Sequence, residues 1–186
     1  MKRTLLSLAL LLTSQSAFAS TDVAGVPVPN AITLYEQTMQ LNGAGVRSKF
    51  FIDLYVGSLF STQKTSQAQQ ILTSDQANAI RLNITSDMIT SDKMIEAMND
   101  GFKLATKGNT HAIENQIAQF IGAFSEPIKS GDQFTLLSIP GKGIVTYKNG
   151  KQLAVTSGEE FRRAVLAVWL GDKPTDKKLK KRMLKG

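Results

Sequence analysis

The chain has 186 residues, no cysteine, one histidine and a formal charge of +7, which excludes disulfide staples, a Cys–His dyad and a multi-histidine metal site. Lys2 and Arg3 carry two of the positive charges, residues 172–186 carry a net five, and residues 20–171 are formally neutral. The protein body therefore offers no general electrostatic case for binding nucleic acid or a membrane.

Lys2 and Arg3, the apolar run at 5–12 and the small-residue site Ala17-Phe18-Ala19 follow one another as in a secretory signal peptide. The run is shorter than the ~20 apolar residues that span a bilayer, and no cysteine follows for lipid attachment. The expected organisation is a signal peptide at 1–19, cleavage after Ala19 and a single soluble periplasmic domain at 20–186, long enough to bury roughly 70% of its unfolded surface.

Residues 23–29 (VAGVPVP) read as an opening edge strand, where proline is tolerated. Residues 32–34 and 39–47 read as extended pieces, 50–60 as a strand dense in Phe, Ile, Leu, Tyr and Val, 66–72 as a short helix, and 79–84 as a half-buried alternating strand. Ser91 is the expected cap of a helix whose apolar stripe is Met94, Ile95, Met98, Phe102, Leu104 and Ala105, broken at Gly108-Asn109. Thr110 is expected to cap a second helix carrying Ile113, Ile117, Phe120, Ile121 and Phe124, ended by Pro127. A meander follows, with strands at 134–139, 144–147 and 152–155 and a two-residue turn at Asn149-Gly150. An apolar-faced helix at 158–170 stops at Gly171, and Pro174-Thr175 open a basic tail helix. With no βαβ alternation, the fold class is α+β, an antiparallel sheet with helices packed on one face.

Few residues suggest chemistry. His111 lies in a polar helix start and reads as a surface residue. Asp87, Asp92, Glu96 and Asp100 fit the solvated face and first turn of one helix. Gly43-Ala44-Gly45 lacks the third glycine and the following helix of a nucleotide loop. In the tail, Leu179, Met183 and Leu184 back six basic residues, as in a docked helix with a solvated face; a weak surface contact is the only partner role left to it. Arg47 is the sharper case. It follows two closely spaced glycines and precedes a strand apolar on both faces, so it reads either as a surface arginine near a hairpin or as a clamp for an anionic, mostly apolar molecule.

Three stretches, LNGAGVRSKFFIDLYVGSLF at 41–60, GDQFTLLSIPGKGIVTYKNGK at 131–151 and FRRAVLAVWLGDKPTDKKLKKRML at 161–184, resemble the chalcone isomerase-like superfamily, in its bacterial exported branch. The resemblance implies an open-faced β-sandwich, a large antiparallel sheet with helices on one face and a ligand cleft between. In the plant enzymes of that family an arginine in a G-x-G-x-R motif stabilises an oxyanion, with a threonine, a tyrosine and an asparagine completing the site; related plant proteins lack the full set and bind fatty acids through the same arginine and a nearby tyrosine. Arg47 matches the arginine. Leu54 stands where the enzyme threonine belongs, Thr90 at the tyrosine and Ala97 at the asparagine, while Tyr55 falls where the lipid-binding relatives keep their tyrosine. Losing one donor aimed at developing charge can cost about 10² to 10³ in rate.

The resemblance thus implies a non-catalytic protein binding a fatty acid or similar small apolar acid through Arg47 and Tyr55, with no catalytic residue, metal or cofactor. The alternatives are an intramolecular lyase or isomerase on another substrate, and a structural or interaction protein with a vestigial cleft. Arg47 and Tyr55 would lie roughly 27 Å apart on one straight strand, so they can share a head group only if the chain reverses near Ser48-Lys49.

Overall fold

The structure is a computed structural model that describes residues 19–186; the expected signal peptide lies outside the described residues except for Ala19. The strands are β1 (Ser20–Val23), β2 (Val26–Pro29), β3 (Ala31–Leu34), β4 (Gln37–Lys49), β5 (Ile52–Ser61), β6 (Asn78–Ile84), β7 (Gln133–Ile139), β8 (Gly143–Lys148) and β9 (Lys151–Thr156). The helices are α1 (Ala68–Leu72), α2 (Ser91–Ala105), α3 (Glu114–Gly122), α4 (Glu159–Leu170) and α5 (Lys177–Met183). Strands β3 to β9 form one antiparallel sheet of 7 strands in chain order, so every neighbour is joined by a hairpin or by an excursion through helices. No helix among the described residues is long and apolar enough to cross a membrane.

Strand alternation separates two cores. On the helix side, Tyr55, Leu59, Leu82, Phe134, Leu136 and Ile144 meet the helices; on the other, Val56, Phe60, Ala79, Leu137 and Val145 pack with Val28 of β2 and Met39. Phenylalanine rings from α2, α3, α4 and β7 bind the helix layer together: Phe102 lies 5.9 Å from Phe120 and 5.8 Å from Phe161, and Phe124 lies 5.0 Å from Phe134. Such pairs add about 0.5–1.5 kcal/mol beyond their burial.

Four local expectations change. The segment at 23–29 is not one strand: Ala24 and Gly25 both take positive φ, and the chain folds back as a separate β1–β2 ribbon. The strand expected at 50–60 begins at Ile52, because Phe50 and Phe51 form the turn after the Lys49–Ile52 pair. Thr90 rather than Ser91 caps α2, accepting from the Lys93 N–H, while the Ser91 hydroxyl donates to the Phe124 carbonyl. Thr110 sits in helical conformation and caps nothing; a 3-10 turn at His111–Ile113 leads into α3, which ends at Gly122, ahead of Pro127.

The tail helix docks as its apolar stripe implies, and two sequence features make that docking tight. Leu179 and Met183 are buried against β4 and β5, where glycines leave room. A Cβ on Gly45 would meet the Arg182 side chain at 2.6 Å, one on Gly57 would meet Leu179 and Met183 at 3.0 Å, and one on Gly43 would fall on the backbone carbonyls of Arg182 and Met183. Asn42 is the unpaired residue of a β-bulge between the Leu41–Phe60 and Gly43–Leu59 pairs. The bulge re-aims its buried amide, which donates to the carbonyls of Thr65 and Met183 at 2.9 and 2.7 Å and accepts from the Thr65 N–H at 2.7 Å.

A buried charge fixes α4. Arg162 is fully buried, yet it donates to both Glu159 oxygens at 2.8 and 2.6 Å and to Ser138 Oγ at 2.8 Å. These bonds hold the Glu159 carboxyl down at about 2, against an ordinary 4.5. A depressed folded-state value means stabilisation that is complete above about 4.5 and lost as pH falls toward 2. Wild-type protein should therefore lose more stability than Glu159→Gln across that acid window, their denaturation midpoints converging near its lower end. Gly43→Ala should cost about 1–3 kcal/mol by overpacking and should free the tail, measurable by chemical denaturation and by limited proteolysis after Lys177–Met183.

Candidate functional site

A cavity of about 530 Å³ opens between the tip of the β4–β5 hairpin and α2, within the ~300–1,000 Å³ range of small-molecule sites. Met94, Met98, Ile89 and Val168 make an apolar interior, and Trp169 and Tyr55 line it as well. Gly101 lets α2 approach α4, since a Cβ there would lie 2.7 Å from Val168. Arg47, Lys49, Lys93, Glu96 and Asp100 bring charge to the same wall.

Arg47 and Tyr55 come together. They are a directly opposed pair in the β4–β5 register, so the reversal needed by the sequence argument exists, two residues later than Ser48-Lys49, at Phe50-Phe51. A second bulge follows: Arg47 faces Tyr55 while Ser48 faces Asp53, leaving Leu54 unpaired. Strict alternation would turn Leu54 away from Tyr55, but the bulge lets both line the cavity.

The Tyr55 hydroxyl accepts twice, from Trp169 Nε1 at 3.0 Å and from Arg47 Nη1 at 3.4 Å. A phenol has two acceptor sites and one donor, so its own proton finds no acceptor among the described residues. Arg47 also lies over the tyrosine ring, with Cζ 5.8 Å from its centroid. No carboxylate among the described residues pairs with it, and one of its five N–H donors is used, loosely. The result is an open cationic donor fork and a positioned hydroxyl donor beside an apolar chamber.

Other candidate positions sort clearly. Ala97 lines the cavity without a polar group, and Thr90 is committed to capping α2. His111 is exposed beside Glu114, at 3.7 Å. Asp87 accepts from the Ser130 N–H. Glu96 and Asp100 are solvated as expected, but they also stand on the cavity wall, and Leu104, expected in the core stripe, is an exposed rim residue. No group of metal-ligating side chains occurs among the described residues.

Sequence reasoning missed Trp169. The signal was present: the single tryptophan of the chain sits on the apolar face of α4, and a buried indole N–H requires an acceptor. It also missed Met88, Ile89 and Thr175, because the cavity is closed by chain segments far apart in sequence.

Residues 20–185 match the family described as chalcone isomerase-like. Among solved structures, a fatty-acid binding protein of Arabidopsis thaliana has a similar fold, with a TM-score of 0.70 over 86% of this chain and 92% of that one, at 17% identity. No curated protein matches the sequence significantly. Tyr55→Phe should strand the buried Trp169 N–H and cost about 1–3 kcal/mol, read as a lower urea midpoint, whereas Trp169→Phe combined with Tyr55→Phe should cost less than the sum of the two single changes.

Proposed function

The chain belongs to the chalcone isomerase-like family, and on that footing we propose that it is a non-catalytic binding protein for a fatty acid or similar small apolar acid. Arg47 pairs with the ligand carboxylate, Tyr55 donates its free proton to it, and the methionine-rich wall of α2 encloses the chain. The observation that carries this reading is the convergence, across one hairpin and at an apolar cavity, of an arginine and a tyrosine proton that have, among the described residues, no carboxylate partner and no acceptor respectively. A fatty-acid binding protein on the same fold adds support.

Catalysis is disfavoured by the side chains at the remaining polar positions. Leu54 and Ala97 supply no hydrogen-bond donor to the cavity and Thr90 does not line it, so of the four polar positions of the family's enzymes only Arg47 keeps a donor at the site. A vestigial cleft is disfavoured because the chamber is open and Arg47 is not neutralised by a described carboxylate. The ordered signal-peptide features at 1–19 support export to the periplasm.

Palmitate titration, followed by the fluorescence of the single tryptophan, tests the site. Arg47→Ala should weaken binding at least ~10-fold, the worth of a charge-assisted hydrogen bond, and native mass spectrometry of protein purified from the periplasm should find bound lipid. Absence of both lipid and palmitate binding, or an unchanged affinity in Arg47→Ala, would overturn the proposal. Turnover of an enone substrate that depends on Arg47 would replace it with an isomerase or lyase.

A further inference from the structure

Phe50 and Phe51, at the tip of the β4–β5 hairpin, are 82% and 106% exposed. Both take positive φ, 51° and 64°, the left-handed conformation that a tight two-residue hairpin demands and that bulky side chains rarely adopt. The same chain builds an equivalent turn from the favoured residues: Asn149 and Gly150 have φ of 51° and 80°. Tyr35 occupies another such turn, at φ 51°, with the Lys142 ammonium 4.6 Å from its ring centroid and its side chain 45% exposed. The Phe50 ring has the Lys49 ammonium 5.6 Å from its centroid and stays 82% exposed. Two phenylalanines thus sit where asparagine and glycine would be easier to fold and more soluble, and the described fold gains little from them.

Their surroundings point to a role. Phe50 lines the cavity mouth, and so do the exposed side chains of Ile52, Met88 and Leu104. Elsewhere among the described residues only Tyr35 and Leu153 are large apolar side chains of comparable exposure. Exposed apolar surface is therefore gathered around one opening and is continuous with the interior. Cations outnumber carboxylates on that wall, Arg47, Lys49 and Lys93 against Glu96 and Asp100. Lys103 reaches Asp100 at 3.5 Å, and the neighbouring Asp53 is engaged by Ser48 Oγ at 2.7 Å.

We propose that the Phe50-Phe51 tip is a wedge that inserts into a lipid bilayer and sets the cavity mouth against the membrane, so that an apolar acid passes between bilayer and cavity without crossing water. This rests on the binding reading above and adds the surface from which the ligand comes. A protruding pair of aromatic rings ringed by apolar side chains and a small excess of cations matches the acyl and headgroup layers of an anionic membrane. A second copy of the chain would instead require a broad complementary face of about 800 Å² per partner, which a narrow tip beside an open mouth does not offer.

The test uses the mature chain and vesicles of phosphatidylcholine, alone or mixed with phosphatidylglycerol. Wild-type protein should co-sediment with vesicles, more strongly with the anionic mixture. Phe51→Ser should reduce partitioning at least ~10-fold, the expected loss for one aromatic anchor. Because Phe51 does not line the cavity, that variant should keep its palmitate affinity in solution. A Phe50→Asn/Phe51→Gly double variant, which installs the favoured turn, should fold at least as well and partition at least as weakly as Phe51→Ser. Transfer of a fluorescent fatty acid from vesicles should accelerate with vesicle concentration for wild type and lose that dependence in both variants.

The wedge is overturned if wild-type protein ignores both vesicle types, if Phe51→Ser partitions unchanged, or if the substitution instead converts a dimer to a monomer. Vesicle binding that needs Phe51 in a protein that does not bind palmitate would remove the ligand reading and leave the membrane contact standing.

Discussion

Two β-bulges, at Asn42 and Leu54, set the register of the β4–β5 hairpin so that its helix-side face reads Gly43, Gly45, Arg47 on one strand and Leu59, Gly57, Tyr55 on the other. A slip of one residue would turn this whole set to the opposite face. Arg47 would then point toward the ribbon side, where Val56 and Phe60 pack against Val28, and the glycine floor under α5 would be replaced by side chains. Site and tail therefore share a single constraint. Half of the hairpin face is bare so that a helix can lie on it, and the other half carries the polar pair that the cavity presents.

The docked tail helix bounds the site as well as covering the sheet. Thr175, just ahead of α5, lines the cavity and donates its backbone N–H to the Val168 carbonyl at 2.9 Å. Lys180 reaches the Gly171 carbonyl at 2.8 Å, tying α5 to the end of α4, next to Trp169. Burial of Leu179 and Met183 contributes roughly 1.5–3 kcal/mol each, and the Asn42 amide anchors the far end through the Met183 carbonyl. The position of the indole that orients Tyr55 is thus braced by residues at the very end of the chain. The basic composition of the tail is incidental to this, since it is the solvated side of a helix held by its apolar stripe.

The sequence made the layer architecture legible because the evidence for it is local: alternation in β6 to β9, the Asn149-Gly150 turn, and helical spacing of Met94, Met98 and Phe102. It was silent where conformation depends on partners. The split of 23–29 rests on Ala24 and Gly25 adopting positive φ together, and an alanine gives no warning of that. Phe50 and Phe51 read as strand because aromatic residues favour strands, yet they form the turn. Thr110 looks like a helix cap by type but lies in helical conformation and caps nothing. At the site, Arg47 and Tyr55 could be named from the family pattern. That the glycines before Arg47 serve a helix whose Met183 lies 141 positions downstream of Asn42, and that Trp169 donates to the tyrosine hydroxyl, could not.

The polar pair also limits which ligands could be held on the proposed reading. Arg47 is only partly buried, so keeping it charged without a partner costs little in the empty protein. Seating an apolar molecule in the mouth would strip water from the guanidinium, and that loss is offset only by a charged acceptor shaped to its donor fork. An ionised carboxylate is such an acceptor, and one of its oxygens can also take the Tyr55 proton, because both acceptor sites of that hydroxyl are already filled by Trp169 and Arg47. An ester or alcohol of the same chain would bury equal apolar area and leave the guanidinium desolvated and unpaired. On that reading Trp169 would act on selectivity through the tyrosine rather than through the ligand. By occupying one lone pair of the tyrosine oxygen it helps to keep that group a donor, which suits an acid and not a competing donor head group.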